Sequence, residues 1–180
     1  MSLIALTAAF VLASQDFVPA PTYHEADVAR LESCVFGGTN VAACGNFSED
    51  VRVLEACAAR ANLAGGPEGF ADAWFECDSV LPCNWEKPQR DQGMLVVRNC
   101  SARGVAASMI IATRWRAQLD AQMPAEDRAL LAQMEKMILD RIEEPGASDA
   151  PMDVRSRSSA RWRTYLMLLR IVQLTGKAGF

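Results

Sequence analysis

Apolar residues recur along most of this chain at steps of three and four, the period of one face of a helix. Val28, Leu31 and Val35 predict a first helix from about His24 to Phe36, with Cys34 close to its apolar face and Gly37-Gly38 ending it. A short turn carrying Cys44 follows, and Gly45-Asn46 breaks the chain again. Ser48 then opens a second helix, its hydroxyl placed to cap the first amides and Glu49 and Asp50 favouring the positive end of the dipole. Val51, Leu54, Cys57 and Ala58 line one face of it, and Gly65-Gly66-Pro67 stops it.

The next stretch is less regular. Ala71 to Val80 reads as a short helix carrying Trp74, Phe75 and Cys77, and Leu81 to Trp85 as a turn held by a disulfide. Pro88 marks the start of a long helix from about Gln89 to Met123. Its stripe is Val97, Cys100, Gly104, Ser108, Ile111, Trp115 and Leu119. The middle of the stripe is small (Gly104, Ala107, Ser108), which reads as room for close helix packing. Gly104 costs about 1 kcal/mol of helix propensity relative to alanine, which such packing would have to offset.

Pro124 begins another helix, Ala125 to Ile142, with Leu130, Leu131, Met134, Met137, Ile138 and Ile142 on one side. Its methionines read as core filling. After the loop Gly146 to Pro151, a last helix begins before Ser159 and ends at Gly176. Its inner face is Trp162, Tyr165, Leu166, Leu169 and Val172, flanked by Arg161, Arg163 and Arg170 with their stems over apolar surface. No stretch alternates with period two and no repeat is present. The pattern predicts an all-α bundle of about five helices, a single helical domain over 24–180.

Cysteine usage sharpens this picture. The chain has 180 residues and six cysteines, spaced C-x9-C-x12-C-x19-C-x5-C-x16-C. Cys34, Cys44, Cys57, Cys77, Cys83 and Cys100 leave a cysteine-rich half over 24–100 and a cysteine-free half over 101–180. No C-x2-C pair of a zinc or redox site occurs, so three disulfides are expected, with 15 pairings open. Each contributes about 2–4 kcal/mol by restricting the unfolded chain. Disulfides suit an oxidising compartment.

The start of the chain agrees. Leu3 to Ala13 is an uncharged apolar run, too short for the ~20 residues that span a bilayer and suited to a secretory signal cleaved after Ala13. No Lys or Arg precedes it. Residues 14–23 then form a tether in which Pro19 and Pro21 forbid a regular helix. The expected location is periplasmic or secreted.

Net charge is −4 and unevenly spread. From Asp16 to Asp91 there are 13 acidic and 5 basic residues, and from Val154 to Lys177 five arginines and one lysine with no acid. The two halves read as solvated faces that also attract each other. Nothing here points to nucleic acid.

Catalytic chemistry is hard to place. His24 is the only histidine, at the edge of the tether, and cysteines in disulfides are not nucleophiles. Asp120, Glu126 and Asp127 gather at a helix junction, where capping explains them. Gly65-Gly66 lacks the Gly-Lys-Ser/Thr ending of a phosphate loop. Asn46-Phe47-Ser48 and Asn99-Cys100-Ser101 match the glycosylation acceptor pattern, which chance matches readily. No catalytic, metal or cofactor residues are assigned, and a non-enzymatic protein is expected.

One resemblance gives a sharper expectation. Trp115-Arg-Ala-Gln-Leu119-Asp120-Ala-Gln-Met123 has the spacing of a Trp…Leu-Asn-x-x-Tyr segment, with Asp for Asn and Met for Tyr. Ser159-Ala160-Arg161-Trp162-Arg163-Thr164-Tyr165 looks like a later Gln-Arg-x-Trp-x-x-Tyr/Phe segment, and Cys100 stands as the leading cysteine. In these features the chain resembles the exported lysozyme-inhibitor-like (LprI-like) family. It departs in having Leu166-Met167 where Arg-Asp follows, and no cysteine after Tyr165. The resemblance implies a helical envelope protein that binds and blocks lysozyme, with Trp162 and Tyr165 in the core. The acidic half would attract a strongly basic lysozyme. The other expectation is a structural or assembly factor of the cell envelope, its basic last helix touching anionic membrane surfaces.

Overall fold

A computed structural model describes residues 22–37, 40–60, 76–81, 83, 92–141 and 154–176. The apolar run Leu3–Ala13, the tether to Pro21, Gly65-Gly66-Pro67, Trp74, Phe75, Trp85, Pro88, Ile142 and the Gly146–Pro151 loop lie outside the described residues.

Five α-helices are present: α1 (Glu25–Gly37), α2 (Ser48–Arg60), α3 (Gly93–Gln122), α4 (Ala125–Arg141) and α5 (Val154–Thr175). Short 3-10 turns cover Val41–Ala43 and Cys77–Val80. No strand occurs among the described residues. The fold is all-α, as the periodicity predicts, and three disulfides join the six cysteines in chain order: Cys34–Cys44, Cys57–Cys77 and Cys83–Cys100. This is the most local of the possible pairings. Each bridge fixes an irregular segment to a neighbouring helix: the Val41–Ala43 turn to α1, the Cys77–Val80 turn to α2, and Cys83 to α3.

The start of α2 differs from expectation. Phe47 supplies the first helical carbonyl, accepting from the Val51 N–H at 2.9 Å. The Asn46 Oδ1 accepts from the Ser48 N–H at 3.0 Å and from the Ser48 hydroxyl at 2.7 Å. Asn46 is the capping side chain, and Ser48 donates to it. This arrangement turns Phe47 into the core, where it is buried.

All the other helices meet α3. Its 30 residues run about 45 Å at 1.5 Å per residue. It packs most extensively on α5, then on α1 and α2. Burial is not confined to one stripe: Ala102, Val105, Ala106, Ala107, Ser108, Ile111 and Ala112 are all buried, which encloses the middle of the helix. Its alanines allow that close approach on several sides. Val97, expected in the stripe, is instead 61% exposed. By length and composition α3 could cross a membrane. Its arginines pair with neighbouring helices and its centre is buried, which makes it the core helix of this bundle.

The helix ends follow local chemistry. Met123 is extended (φ −88°, ψ 147°), the conformation favoured before proline, and stops α3 ahead of Pro124. Gly176 ends α5 at φ 67°, its N–H donating to Val172 O at 2.8 Å. That left-handed position favours glycine.

On α5 the predicted inner face holds: Tyr165, Leu166, Leu169 and Val172 are buried, with Leu168 added and Trp162 half-buried. On α4 it is narrower than expected. Leu131 is fully buried, and Met134 and Ile138 pack against the core, but Leu130 faces outward and Met137 is 61% exposed. α4 packs mainly on α5, so one neighbour covers only a narrow strip.

One polar group is enclosed by this packing. Asp50, in the first turn of α2, is 0% exposed, and its carboxylate accepts from Arg103 Nη2 at 2.5 Å and Nε at 3.3 Å. A buried carboxylate without a partner is costly. The Arg103 side chain is 32% exposed and reaches water if the pair is broken. The two halves of the pair are therefore unequal. Arg103→Met should cost about 3–5 kcal/mol, because it strands a buried charge. Asp50→Asn should cost about 1–3 kcal/mol. Urea unfolding of the oxidised proteins measures both; equal costs, or the reverse order, would contradict this assignment.

Candidate functional site

Four arginines project from α3 toward its neighbours. Arg98 binds α1, with Nη2 at 2.5 Å from Glu32 Oε2 and Nη1 at 2.5 Å from Glu25 Oε1. Arg103 binds Asp50 of α2, and Arg114 Nη2 donates to Glu55 of α2 at 2.7 Å. Arg116 Nε donates to Glu135 of α4 at 3.4 Å and also pairs with Asp120. Bonds to Glu32 and Glu25 hold the Arg98 guanidinium above its usual range.

Three further pairs lie within helices: Asp27 with Arg30, Glu49 with Arg52, and Lys136 with Asp140 on α4. Every carboxylate of α1 and α2 thus has an arginine partner. These carboxylates are neutralised by arginines of α3 and of their own helices, not by the basic segment Val154–Lys177 that the charge pattern suggested as their counterpart.

The residues of the family-like segments converge in part. Trp115 is buried and its indole N–H donates to Glu55 Oε1 at 3.1 Å. Leu119 is buried beside it in sequence register with α3's core face. Asp120, Arg116, Glu135 and Tyr165 form one network that joins α3, α4 and α5. Trp162 packs edge-on against Tyr165, ring centroids 6.0 Å apart. Arg161 is half-buried with its Nε covered. The sequence reading missed Arg116 and Glu135. The Arg116/Asp120 spacing of four was a visible signal, whereas Glu135 needed the tertiary packing of α4.

Burial, then the negative charge of Glu135 and a hydrogen bond to it, push the Tyr165 phenol well above its usual range. Burial alone pulls Arg116 down, but the bonds to Asp120 and Glu135 outweigh it and raise the guanidinium. Arg170 is lowered by burial; its Nη2 donates to Ala59 O at 3.0 Å, satisfying a carbonyl at the end of α2.

Two surface hollows stand apart from this network. The first, about 480 Å³, lies where the Val41–Ala43 turn and the start of α2 meet α3. Phe47, Val51 and Ile110 give it apolar walls, and Arg52, Glu55 and Arg114 a mixed-charge rim. The Cys34–Cys44 bridge holds the turn on its edge. The second, about 260 Å³, lies between α3 and α5. The two share no lining residue.

His24 is exposed, and all six cysteines are in disulfides, so no free thiol is present to act as a nucleophile. Among the described residues no group of His, Cys, Asp or Glu is placed to hold a metal ion. No family model, curated protein or solved structure matches the chain.

The raised Tyr165 phenol has a measurable consequence. A group whose folded pKa exceeds its unfolded value contributes stability below the unfolded value and loses it above. Folding stability should therefore fall above about pH 10, by up to ~1.4 kcal/mol per pH unit. Comparing denaturant unfolding of the wild type and Tyr165→Phe from pH 8 to 11 checks this. The variant should lack that part of the slope, and identical slopes would contradict the assignment.

Proposed function

We propose that this chain is an exported, non-catalytic protein that works by binding another protein, with lysozyme the partner to test first. The observation that carries the reading is the hollow beside the Val41–Ala43 turn. It combines apolar walls with a mixed-charge rim, the composition of a polar-rimmed protein interface. The Cys34–Cys44 bridge braces its edge, and a preorganised surface loses less freedom on binding. Three disulfides fit a periplasmic or secreted location.

Lysozyme comes from the family resemblance of the Trp115–Asp120 and Arg161–Tyr165 segments. Charge attraction supports it less than the sequence suggests, because the α1 and α2 carboxylates are spent on arginines. Recognition would then rest on the shape and rim of the hollow, and salt would weaken it only modestly. The envelope-factor reading draws on Arg157, which is exposed on α5. Arg161, Arg163 and Arg170 are half-buried along apolar surface, which leaves less of the basic helix for a membrane.

Lysozyme clearing of a cell-wall suspension tests the reading. The oxidised protein should inhibit in a dose-dependent way, and the reduced, alkylated protein should not. Ala42→Trp, an exposed change at the hollow, should raise the half-inhibitory concentration by about tenfold or more with the melting temperature unchanged. Absence of inhibition at large molar excess, across animal and bacterial lysozymes, would remove lysozyme from the proposal.

A further inference from the structure

The three disulfides differ in access. Cys57, Cys77, Cys83 and Cys100 are buried and belong to the core. Cys34 and Cys44 are only half-buried, with Cys44 packed on the edge of that core. Thiol–disulfide exchange requires a thiolate to reach a sulfur of the bridge, so its rate depends on access. A reductant in solution therefore meets the Cys34–Cys44 bridge first. The other two open only with the core around them.

The accessible bridge is also the one at the hollow beside the Val41–Ala43 turn. Within that turn the Ala43 N–H donates to Asn40 O at 3.1 Å and the Cys44 N–H to Val41 O at 3.0 Å. Both bonds are internal and tie the turn to nothing beyond itself. Outward anchoring comes from buried Val41, from packing on α3 and from the bridge to α1. Ala42 and Gly45, close to Cys44 on either side, line the hollow. A Cβ on Gly45 would lie 3.4 Å from the Phe47 ring, so the chain after Cys44 rests on the aromatic wall of the hollow. Releasing Cys44 from α1 loosens that wall.

The surrounding helices have their own attachments. Buried Val28 and Val35, and the Arg98 pairs with Glu25 and Glu32, hold α1 on α3. The Asn46 cap starts α2, and the Cys57–Cys77 bridge staples it separately.

We propose that Cys34–Cys44 is a redox switch on this hollow, opened by a dithiol while the two core bridges stay closed. Its consequence for binding rests on the protein-binding reading of the hollow; its chemistry does not. A reductant thiolate attacks one sulfur of the bridge. A mixed disulfide forms as the Cys34–Cys44 bond breaks, and the electron pair leaves on the other cysteine, which takes a proton. The reductant's second thiol then displaces the mixed disulfide. The products are two protein thiols and one oxidised reductant, a transfer of two electrons and two protons. Exchange with a disulfide of the same class runs these steps backward and restores the wall.

The test treats the oxidised full chain with dithiothreitol under native conditions, quenches it at intervals with iodoacetamide and maps the labelled peptides by mass spectrometry. Cys34 and Cys44 should be labelled about tenfold faster or more than Cys57, Cys77, Cys83 and Cys100. Hydrogen exchange is then measured on the protein reduced to that stage and on the Cys34→Ser/Cys44→Ser double variant. Amides at positions 43 and 44 should exchange about tenfold faster or more in both, with those of Ala106 to Ala112 unchanged. Lysozyme inhibition by both forms should weaken by about tenfold, because the wall is no longer preorganised. Core cysteines labelled as fast as Cys34 and Cys44, or unchanged exchange at positions 43 and 44 after selective reduction, would overturn the switch. So would equal inhibition by the oxidised and selectively reduced forms. An oxidised chain that inhibits no lysozyme would remove that partner alone, and labelling and exchange would still decide the switch.

Discussion

A fully enclosed carboxylate is tolerable only where its partner stands, and Asp50 has one partner, Arg103. Sliding α2 along α3 by one turn moves the two groups about 5.4 Å apart and leaves a charge buried without compensation. The pair therefore fixes the register of α2 on α3. The Glu55 carboxylate, shared by Arg114 and the Trp115 indole, fixes the same register a second time further along. Arg98 does the equivalent for α1 through Glu25 and Glu32. Ala-rich surfaces pack closely but slide easily, since alanine offers little shape to interlock. On α3 the arginines supply the specificity that the alanines lack.

The disulfides act at shorter range. They close segments of 10, 20 and 17 residues, each between neighbouring cysteines. Loop-closure entropy grows slowly with length, so all three restrict the unfolded chain to a similar degree. None of them joins the cysteine-rich half to α4 or α5. Of these, α5 is held by apolar contact with α3 and by Arg170 on the end of α2, and α4 by packing on α5 and by the Arg116–Glu135–Tyr165 network. The stapled part and the unstapled part thus meet on one helix, which belongs to both.

Much of this was legible in the sequence. The first helix was expected from about His24 to Phe36 and runs Glu25–Gly37; the inner face of α5 was read almost as it stands. Strong periodicity with large side chains made those elements plain. Where contrast was low, the reading narrowed or widened wrongly. In α3 the small residues mark no single face, so one stripe was drawn where several are buried. In α4 Leu130, Leu131, Met134, Met137, Ile138 and Ile142 were placed on one core side, and Leu130 and Met137 turned out exposed. Asp50 looked like a helix-start acid because its partner lies 53 residues away. The small stripe over Gly104 and Ser108 was read as packing alone, whereas it also lines a hollow with Arg163 on the facing helix. That conjunction spans two helices and has no signature in either.

The account makes α3 the wall on which the whole fold is built, and hydrogen exchange measures this most directly. In the oxidised protein the amides of Ala106 to Ala112 should be the slowest, opening only with global unfolding. Those of Leu131 to Ile138 on α4 should exchange about a hundredfold faster or more, through local opening. If α4 exchanges as slowly as the centre of α3, or if the centre of α3 exchanges through local opening, the helix is not the shared core and the account fails.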